Sequence, residues 1–310
     1  MQQAILVNNV SHNFGDRVAL DQVTLEVNSG EMYGLLGPNG GGKTTLFRIL
    51  CTLLRPDLGT VCVLGNDAIA QAAAVRAGIG VVFQQPSLDA RLTVLENLRH
   101  QGHLYGLKGR LLGERIDEAL DMMGLVDRAK DRAEVLSGGL QRRVELAKSL
   151  LHRPKVLIFD EPCTGLDPGA RRTFWDDLDV LRQTWGTTLV LTTHFMEEAE
   201  RCDRIGILDG GVLIAEGTPN DLKHTVGSEM ITLEAHDPEA LCGQIKDLVD
   251  TEIQVVDGQV RIACEEGQVL LAQLYPHLKS EDVQAITMSR PTLEDVFVQR
   301  TGHGFHVEGL

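Results

Sequence analysis

Long hydrophobic runs are absent from this chain of 310 residues. No segment approaches the roughly 18 unbroken apolar residues that a membrane-spanning helix needs, so we predict that the chain does not itself cross a membrane. The N-terminus also lacks the basic segment followed by an apolar segment that marks a secretory signal. We therefore expect the protein to stay inside the cell, in the cytoplasm.

Basic residues are outnumbered, because 29 Lys and Arg stand against 44 Asp and Glu and the formal net charge is −15. Binding to nucleic-acid phosphates calls for clustered Lys and Arg, so we predict no nucleic-acid partner. Residues 229–310 hold 15 acidic and 5 basic residues, and so carry ten of the fifteen net negative charges. This uneven distribution suggests two domains.

Paired cysteines are also missing. The six cysteines, at positions 51, 62, 163, 202, 242 and 264, form neither a C-x-x-C pair nor the spacing of a zinc site. We predict scattered, reduced thiols and no disulfide framework. A chain of this length can bury a core without such cross-links.

A glycine-rich segment, GPNGGGKTT at 37–45, follows the apolar run at 32–36 and precedes LFRIL at 46–50. Strand, glycine loop and helix is the order of a phosphate cradle, in which backbone amides and the helix N-terminus face one anion. Lys43 would reach the terminal phosphates and Thr44 would hold Mg²⁺. The alternative, a glycine turn that merely joins a strand to a helix, rarely carries this full pattern. The predicted nucleotide-binding residues are Gly37, Pro38, Asn39, Gly40, Gly41, Gly42, Lys43, Thr44 and Thr45.

Three further apolar runs, at 79–83, 156–159 and 188–192, have the pattern of buried parallel strands. Polar side chains follow each run, and ligands of open parallel sheets bind outside the carboxyl ends of the strands. In residues 4–10 and 19–27, apolar and polar side chains alternate instead, which predicts half-buried antiparallel strands. Phe14 lies between them and could stack on a flat base, although an isolated Phe is more often a core residue.

The segment from Thr93 to Leu151 has helical spacing of its apolar residues and predicts an inserted helical subdomain. Its last helix begins near Ser137-Gly138-Gly139, where Ser137 fits the N-cap position. This start is either an ordinary capped helix or a second anion-binding site.

Three motifs together carry a family resemblance: GPNGGGKTT at 37–45, LSGG at 136–139 and VLIFDEP at 156–162. Over about residues 3–225 the chain resembles the ATP-binding subunit of an ATP-binding-cassette (ABC) transporter. LSGG ahead of a strand that ends in Asp-Glu is highly specific to this family. The resemblance implies an α/β P-loop NTPase with a RecA-like core, an antiparallel β subdomain and an inserted helical subdomain at about residues 86–151. ATP and Mg²⁺ are the implied cofactors.

The resemblance also implies catalytic roles. Asp160 matches the residue that holds Mg²⁺ through water, Glu161 the general base for the attacking water, and His194 the switch residue that contacts the γ-phosphate. Gln84, and not its neighbour Gln85, matches the glutamine that senses Mg²⁺ and meets the membrane subunit, because it directly follows the strand. The expected catalytic residues are therefore Glu161, His194, Gln84 and Lys43. The expected metal ligands are Thr44, Gln84 and Asp160.

In this family two copies pack head to tail, so Ser137, Gly138 and Gly139 of one copy would close over the γ-phosphate held by Lys43 of the other. Asp167 matches the loop that crosses between the copies. Phe14 falls at the adenine-stacking position, where relatives often have Tyr, so the stacking is kept and any hydroxyl contact is lost.

After Pro219 the pattern changes, and the predicted order of elements is βαββαβ. This order is that of a ferredoxin-like α+β domain, with Asp257-Gly258 as a hairpin turn; a loose α+β appendage is the alternative. The predicted elements are strands at 229–235, 252–256, 259–264 and 283–289 and helices at 238–249 and 267–277. We predict domains at 1–225 and 226–310.

This tail, with PTLEDVF at 291–297, resembles that of the daunorubicin-resistance class of exporter ATPases. That class drives drug, polysaccharide or lipid export through a separately encoded membrane subunit. The resemblance thus implies a peripheral ATPase on the inner face of the cell membrane, bound to an integral-membrane permease. In the ATP-bound state it would be a homodimer. The alternative is a soluble ABC-type ATPase that acts in assembly or repair. A P-loop phosphotransferase would not account for LSGG, Glu161 and His194 together.

Cys163 lies between Glu161 and the predicted crossing loop, where many relatives have Ser or Thr. If its thiol is reachable, modification should block closure of the dimer and inhibit the ATPase. If it is buried, as most free cysteines are, it is inert.

Overall fold

The structure is a computed structural model that describes residues 2–249, 251, 253–278 and 282–305. Within these ranges, none of the helices combines the length and the hydropathy that crossing a membrane requires. Two sheets and a group of helices make up residues 2–224, and a third sheet follows.

The N-terminal part alternates between an antiparallel sheet and the start of a central, mainly parallel sheet. Its elements are β1 (Gln3–Phe14), β2 (Arg17–Asn28), β3 (Met32–Leu36), α1 (Lys43–Leu50), β4 (Leu58–Val63), β5 (Asn66–Asp67), α2 (Ala72–Gly78) and β6 (Ile79–Val82). The antiparallel sheet has the order β2-β1-β4-β5, which confirms the predicted antiparallel subdomain. Its first two strands are longer than predicted, because a tight turn at Gly15 lets their pairing continue to Phe14 and Arg17.

The helical segment follows, and its three main helices are α3 (Val94–Leu104), α4 (Gly109–Met122) and α5 (Gly138–Leu150). A capping box starts α3, because the Thr93 hydroxyl accepts from the Glu96 amide while the Glu96 carboxylate accepts from Thr93. Apolar side chains of the three helices, among them Leu98, Ile116 and Val144, pack into one core. The inserted helical subdomain is therefore confirmed.

The chain then returns to the central sheet with β7 (Val156–Asp160), α6 (Pro168–Trp185), β8 (Thr188–Thr193), α7 (Met196–Ala199), β9 (Arg204–Asp209), β10 (Val212–Gly217) and α8 (Pro219–His224). The sheet order is β10-β9-β3-β8-β7-β6, in which β10 alone runs antiparallel to its neighbour. All residues of β3, β7 and β8 are buried, since both faces of the sheet are covered. The carboxyl ends of β3, β6, β7 and β8 meet at one edge.

The C-terminal part contains β11 (Glu229–Ala235), α9 (Pro238–Ile245), β12 (Ile253–Val256), β13 (Gln259–Cys264), α10 (Gly267–Leu274), β14 (Val283–Ser289) and α11 (Leu293–Thr301). The antiparallel order β12-β13-β11-β14 confirms the ferredoxin-like βαββαβ arrangement. The helices α9 and α10 are shorter than predicted, and each continues as a 3₁₀ turn. In the second turn, Pro276 has no amide hydrogen to donate. Glu252, placed in a strand by the sequence, lies outside the described residues.

Candidate nucleotide-binding and active site

The glycine loop at 37–45 connects β3 to α1. Gly40 and Gly42 have φ angles of 80° and 104°, a region that side-chain-bearing residues rarely adopt. A Cβ atom on Gly42 would lie 2.6 Å from the carbonyl oxygen of Ala19. Glycine is therefore required at this position, directly before the helix N-terminus that favours anions.

Lys43 is 4% exposed and is the first residue of α1. Its Nζ donates to the carbonyl oxygens of Gly37 at 2.8 Å and Pro38 at 3.0 Å, and lies 3.4 Å from Glu161 Oε1. Burial lowers the pKa of Lys43, while the charges of Glu161 and Asp160 act in the opposite direction. The ammonium group is thus held at the loop by oxygen atoms on both sides.

A hairpin between β9 and β10 supports the loop from behind. The Gly211 amide donates to the Gly41 carbonyl at 3.1 Å. The carbonyl oxygen of Leu208 approaches so closely that a Cβ on Gly37 would lie 2.1 Å from it. Neither strand of this hairpin was predicted from the sequence.

Asp160 is the last residue of β7 and is buried. Its Oδ1 accepts hydrogen bonds from Thr192 Oγ1 at 2.7 Å and from Thr44 Oγ1 at 3.3 Å. Burial raises the pKa of Asp160, and the Thr192 hydrogen bond opposes that rise. Carboxylate and hydroxyl oxygens are ligands that Mg²⁺ prefers, so this pair fits the ion that the resemblance implies.

Glu161 has a left-handed backbone with φ of 43°, a costly conformation for a residue with a side chain. The Glu161 amide donates to Thr192, at 3.0 Å to its hydroxyl and 3.2 Å to its carbonyl oxygen, and so holds this turn in place. The consequence is that the carboxylate points back toward the loop instead of continuing along the strand.

Four polar groups surround the Glu161 carboxylate. Besides Lys43, they are His194 Nδ1 at 3.1 Å, Gln84 Nε2 at 3.2 Å and Thr164 Oγ1 at 3.3 Å. Burial alone would raise the pKa of Glu161, but the neighbouring His194 ring and Lys43 ammonium group outweigh it and lower the pKa. The carboxylate therefore stays ionised at neutral pH and can accept a proton.

A cavity of about 170 Å³ opens beside the loop. Phe14, which is 49% exposed, lines it, and the His12 ring meets the Phe14 ring edge-on at 4.7 Å between centroids. Arg17 also lines the cavity, with Nη2 3.4 Å from the Gly40 carbonyl oxygen. The other lining residues are Ala19, Asn39, Gly40, Gly42, Lys43, Thr44, Thr45 and Glu161.

The LSGG segment stands apart from this cavity within one chain. Ser137 caps α5, with its Oγ accepting from the Leu140 amide at 3.4 Å. Gly139 packs so closely against α6 that a Cβ there would lie 2.8 Å from the Cβ of Ala170. Neither these residues nor Gly138 line the cavity around Lys43.

Cys163 is fully buried, and burial raises the pKa of its thiol. Cys163 therefore fits the alternative of a buried, unreactive thiol. We expect that thiol reagents do not inhibit the folded protein through this residue.

The sequence did not single out the groups that hold these side chains. Thr192 supports both acidic residues, Arg17 lines the cavity, and the β9–β10 hairpin backs the loop. A hydroxyl at the end of a predicted strand was the only available signal for Thr192. Arg17 lies in no motif.

Comparisons with known proteins agree with this geometry. The family description "ABC transporter" matches residues 20–164, and "ATP-binding protein DrrA1-3-like, C-terminal domain" matches residues 217–301. A daunorubicin resistance ATP-binding protein, DrrA3, of Streptomyces coeruleorubidus is 40% identical over 307 residues, which cover 96% of each chain. The Nod factor export ATP-binding protein I of Rhizobium etli is 40% identical over 304 residues, covering 96% of this chain and 93% of that protein.

A solved dimeric ATP-binding cassette, described as a post-hydrolysis state bound to ADP and Pi, has a TM-score of 0.62 and 30% identity. The match covers 69% of this chain and 98% of that one. Because these relatives are transport or resistance proteins, the transporter role is favoured over assembly or repair. Fold, motifs and relatives agree, and the chain belongs to the family of ATP-hydrolysing, ATP-binding subunits of ABC transporters.

Proposed function

We propose that this chain hydrolyses Mg-ATP with Glu161 as the general base and drives export through a separate membrane subunit. The observation that carries the proposal is the Glu161 carboxylate, held among Lys43, His194 and Gln84 at the end of β7. The export direction is supported by the relatives named for drug resistance and Nod factor export.

ATP would bind with its phosphates in the 37–45 loop and its adenine on the exposed ring of Phe14. Thr44 and Asp160 would hold Mg²⁺, with Gln84 at the edge of the same site. The ion, when bound, neutralises charge on the phosphate oxygens. The residues themselves would position the nucleotide.

Glu161 would orient a water molecule and take its proton as the water oxygen attacks the γ-phosphorus. The bond between that phosphorus and the oxygen of ADP breaks, and ADP leaves with the electron pair. Lys43 and His194 lie on the two carboxylate oxygens of Glu161, at 3.4 Å and 3.1 Å. Both would be close enough to stabilise the negative charge of the transferring phosphoryl group.

The complete site would need two copies. Ser137, Gly138 and Gly139 present a helix N-terminus but stand apart from the cavity of their own chain. Two chains packed head to tail would place this helix start against the γ-phosphate of the partner. The dimeric cassette among the structural relatives supports this arrangement.

A mixing experiment tests the shared site. Lys43→Ala spoils the phosphate loop and Ser137→Arg blocks the opposing helix start, so each pure variant should be inactive. In a one-to-one mixture, mixed dimers contain one intact site, and the mixture should recover roughly a quarter of the wild-type ATPase, since half of the dimers carry one of two sites. ATPase activity at several mixing ratios measures this, and no recovery at any ratio would mean that the site is complete in one chain.

We propose that the membrane subunit docks at a groove beside Gln84. A cavity of about 340 Å³ lies there, with the exposed apolar residues Leu53, Phe83 and Tyr105 among its lining. Arg142 fixes the adjoining backbone, with Nη1 donating to the Phe83 carbonyl at 2.6 Å and Nη2 to the Gln84 carbonyl at 2.9 Å. Contact in the groove would thus reach Glu161 through the Gln84 side chain.

Leu53→Glu tests this docking surface. Leu53 is 58% exposed and lines the groove, so a charge should weaken membrane association and leave the basal ATPase within about twofold. Co-sedimentation with the membrane fraction of expressing cells, and co-purification of a polytopic protein, are the measurements. Val180→Glu, at a 50% exposed site on α6, is the matched control. Equal sedimentation of both variants would move the docking site elsewhere.

The protein would then lie on the cytoplasmic face of the membrane, as the resemblance implied. We propose the domain boundary at 225/226, directly after α8 and its C-cap at Thr225. Residues 226–310 would form the accessory domain. The α11 helix packs back against α8, so the two proposed domains share an interface.

A further inference from the structure

Glu198 is a buried carboxylate that the proposed chemistry does not use. It lies on α7, four residues after His194, and is 2% exposed. Burying an ionisable carboxyl group is costly unless specific partners compensate, and burial does raise the pKa of Glu198. Its partners therefore indicate what it does.

The first partner is the strand end that carries His194. Thr193 Oγ1 donates to Glu198 Oε2 at 2.7 Å, and the Phe195 amide donates to Thr193 Oγ1 at 2.9 Å. These bonds hold the residues on both sides of His194. The His194 backbone is thereby fixed between two neighbours that depend on Glu198.

The second set of partners comes from the other side of the active site. The charge of Glu198 helps to raise the pKa of the buried Cys163 thiol, two residues beyond Glu161, and the charge of Arg171 on α6 acts to lower the pKa of Glu198. The Arg171 guanidinium also lies over the Phe195 ring, 4.6 Å from its centroid. The other carboxylate oxygen, Oε1, has no hydrogen-bond partner within the described part of the chain.

We propose that Glu198 is a positioning residue that keeps the His194 loop in register with the loop carrying Glu161, Cys163 and Asp167. Glu198 acts from the buried side of the His194 loop, while His194 Nδ1 lies 3.1 Å from Glu161 Oε2 at the active site. A movement of either loop is thereby transmitted to the other. This inference rests on the proposed function, because it assigns Glu198 an effect on turnover through His194.

The test compares Glu198→Ala, Glu198→Gln and Glu197→Ala. Glu198→Ala should lower kcat for ATP about 10- to 100-fold and change KM for ATP less than about threefold, because the loop shifts while the phosphate loop stays intact. Glu198→Gln keeps the acceptor for Thr193 and should recover most of the loss. Glu197 is exposed on the same helix, so Glu197→Ala should match wild type.

A double-variant cycle with His194→Ala separates the alternatives. If Glu198 acts through His194, adding Glu198→Ala to His194→Ala should cause no further fall in kcat. Equal falls in both backgrounds, or a wild-type kcat for Glu198→Ala alone, would overturn the proposal. A wild-type kcat for His194→Ala would instead overturn the proposed role of His194. If Glu198→Ala does not fold, Thr193→Val, which removes the same hydrogen bond, should show the same loss of kcat, and a wild-type kcat would overturn the proposal.

Discussion

Glu161→Gln is expected to lower ATP turnover by about 100- to 10,000-fold while leaving ATP binding nearly unchanged, because the amide keeps the side-chain shape but cannot take a proton. The pKa of Glu161 is below its ordinary value, so the wild-type carboxylate is ionised throughout the neutral range and its loss is felt at every working pH. Bound ATP should then accumulate, and with it the closed dimer. Phosphate release and gel filtration with Mg-ATP measure the two effects.

The matched control is Glu197→Gln, which makes the same chemical change at an exposed site. It should leave both turnover and elution volume unchanged. A Glu161→Gln chain that remains monomeric with Mg-ATP and turns over at the wild-type rate would remove Glu161 from the role of base.

Gly42→Ala is expected to weaken ATP binding about 10- to 100-fold, because it forces a side chain into a left-handed backbone and toward a carbonyl oxygen. The φ angle is 104°, and the added Cβ would lie 2.6 Å from the Ala19 carbonyl oxygen. The loop must shift, and the amides of the cradle shift with it. Titration of a fluorescent ATP analogue measures the affinity, and thermal unfolding checks that the chain is folded.

Gly113→Ala is the control for this change. Gly113 lies within α4, and an added Cβ there meets no described residue within 4 Å, so the substitution should leave ATP affinity unchanged. Equal affinity in the Gly42 and Gly113 variants would show that the cradle tolerates a side chain, contrary to its geometry.

The central sheet was predictable where strands are buried on both faces, as in β3 and β7, since such strands appear as continuous apolar runs. The β9–β10 hairpin was not predicted, because Gly206 interrupts the apolar run of β9 and β10 is only half-buried. The helical segment was predictable from spacing, but the 3₁₀ ends of α9 and α10 were not, since local spacing does not show where a helix tightens.

The side chains of the candidate site were predictable as neighbours, because the carboxyl ends of parallel strands share one edge. The residues that hold these side chains in place were not predictable. Thr192 reaches Asp160 because these two residues pair across β7 and β8, and such a register follows from three-dimensional packing. The left-handed turn at Glu161 likewise depends on Thr192 and leaves no mark in the local sequence. In the dimer that we propose, the phosphate facing the LSGG helix start would lie on a second chain, which the sequence of one chain does not place.

The hairpin behind the phosphate loop, together with α1 and Lys43, affects the electric field that an anion in the loop would meet. The Gly41 carbonyl is engaged by Gly211, and the Gly42 carbonyl by the Leu46 amide of α1. Lys43 takes the carbonyls of Gly37 and Pro38. Donors of the protein itself therefore occupy four carbonyl oxygens of the loop, so these negative ends of the peptide dipoles are compensated and oppose a bound anion less. The loop is therefore polarised for an anion by the protein's own hydrogen bonds.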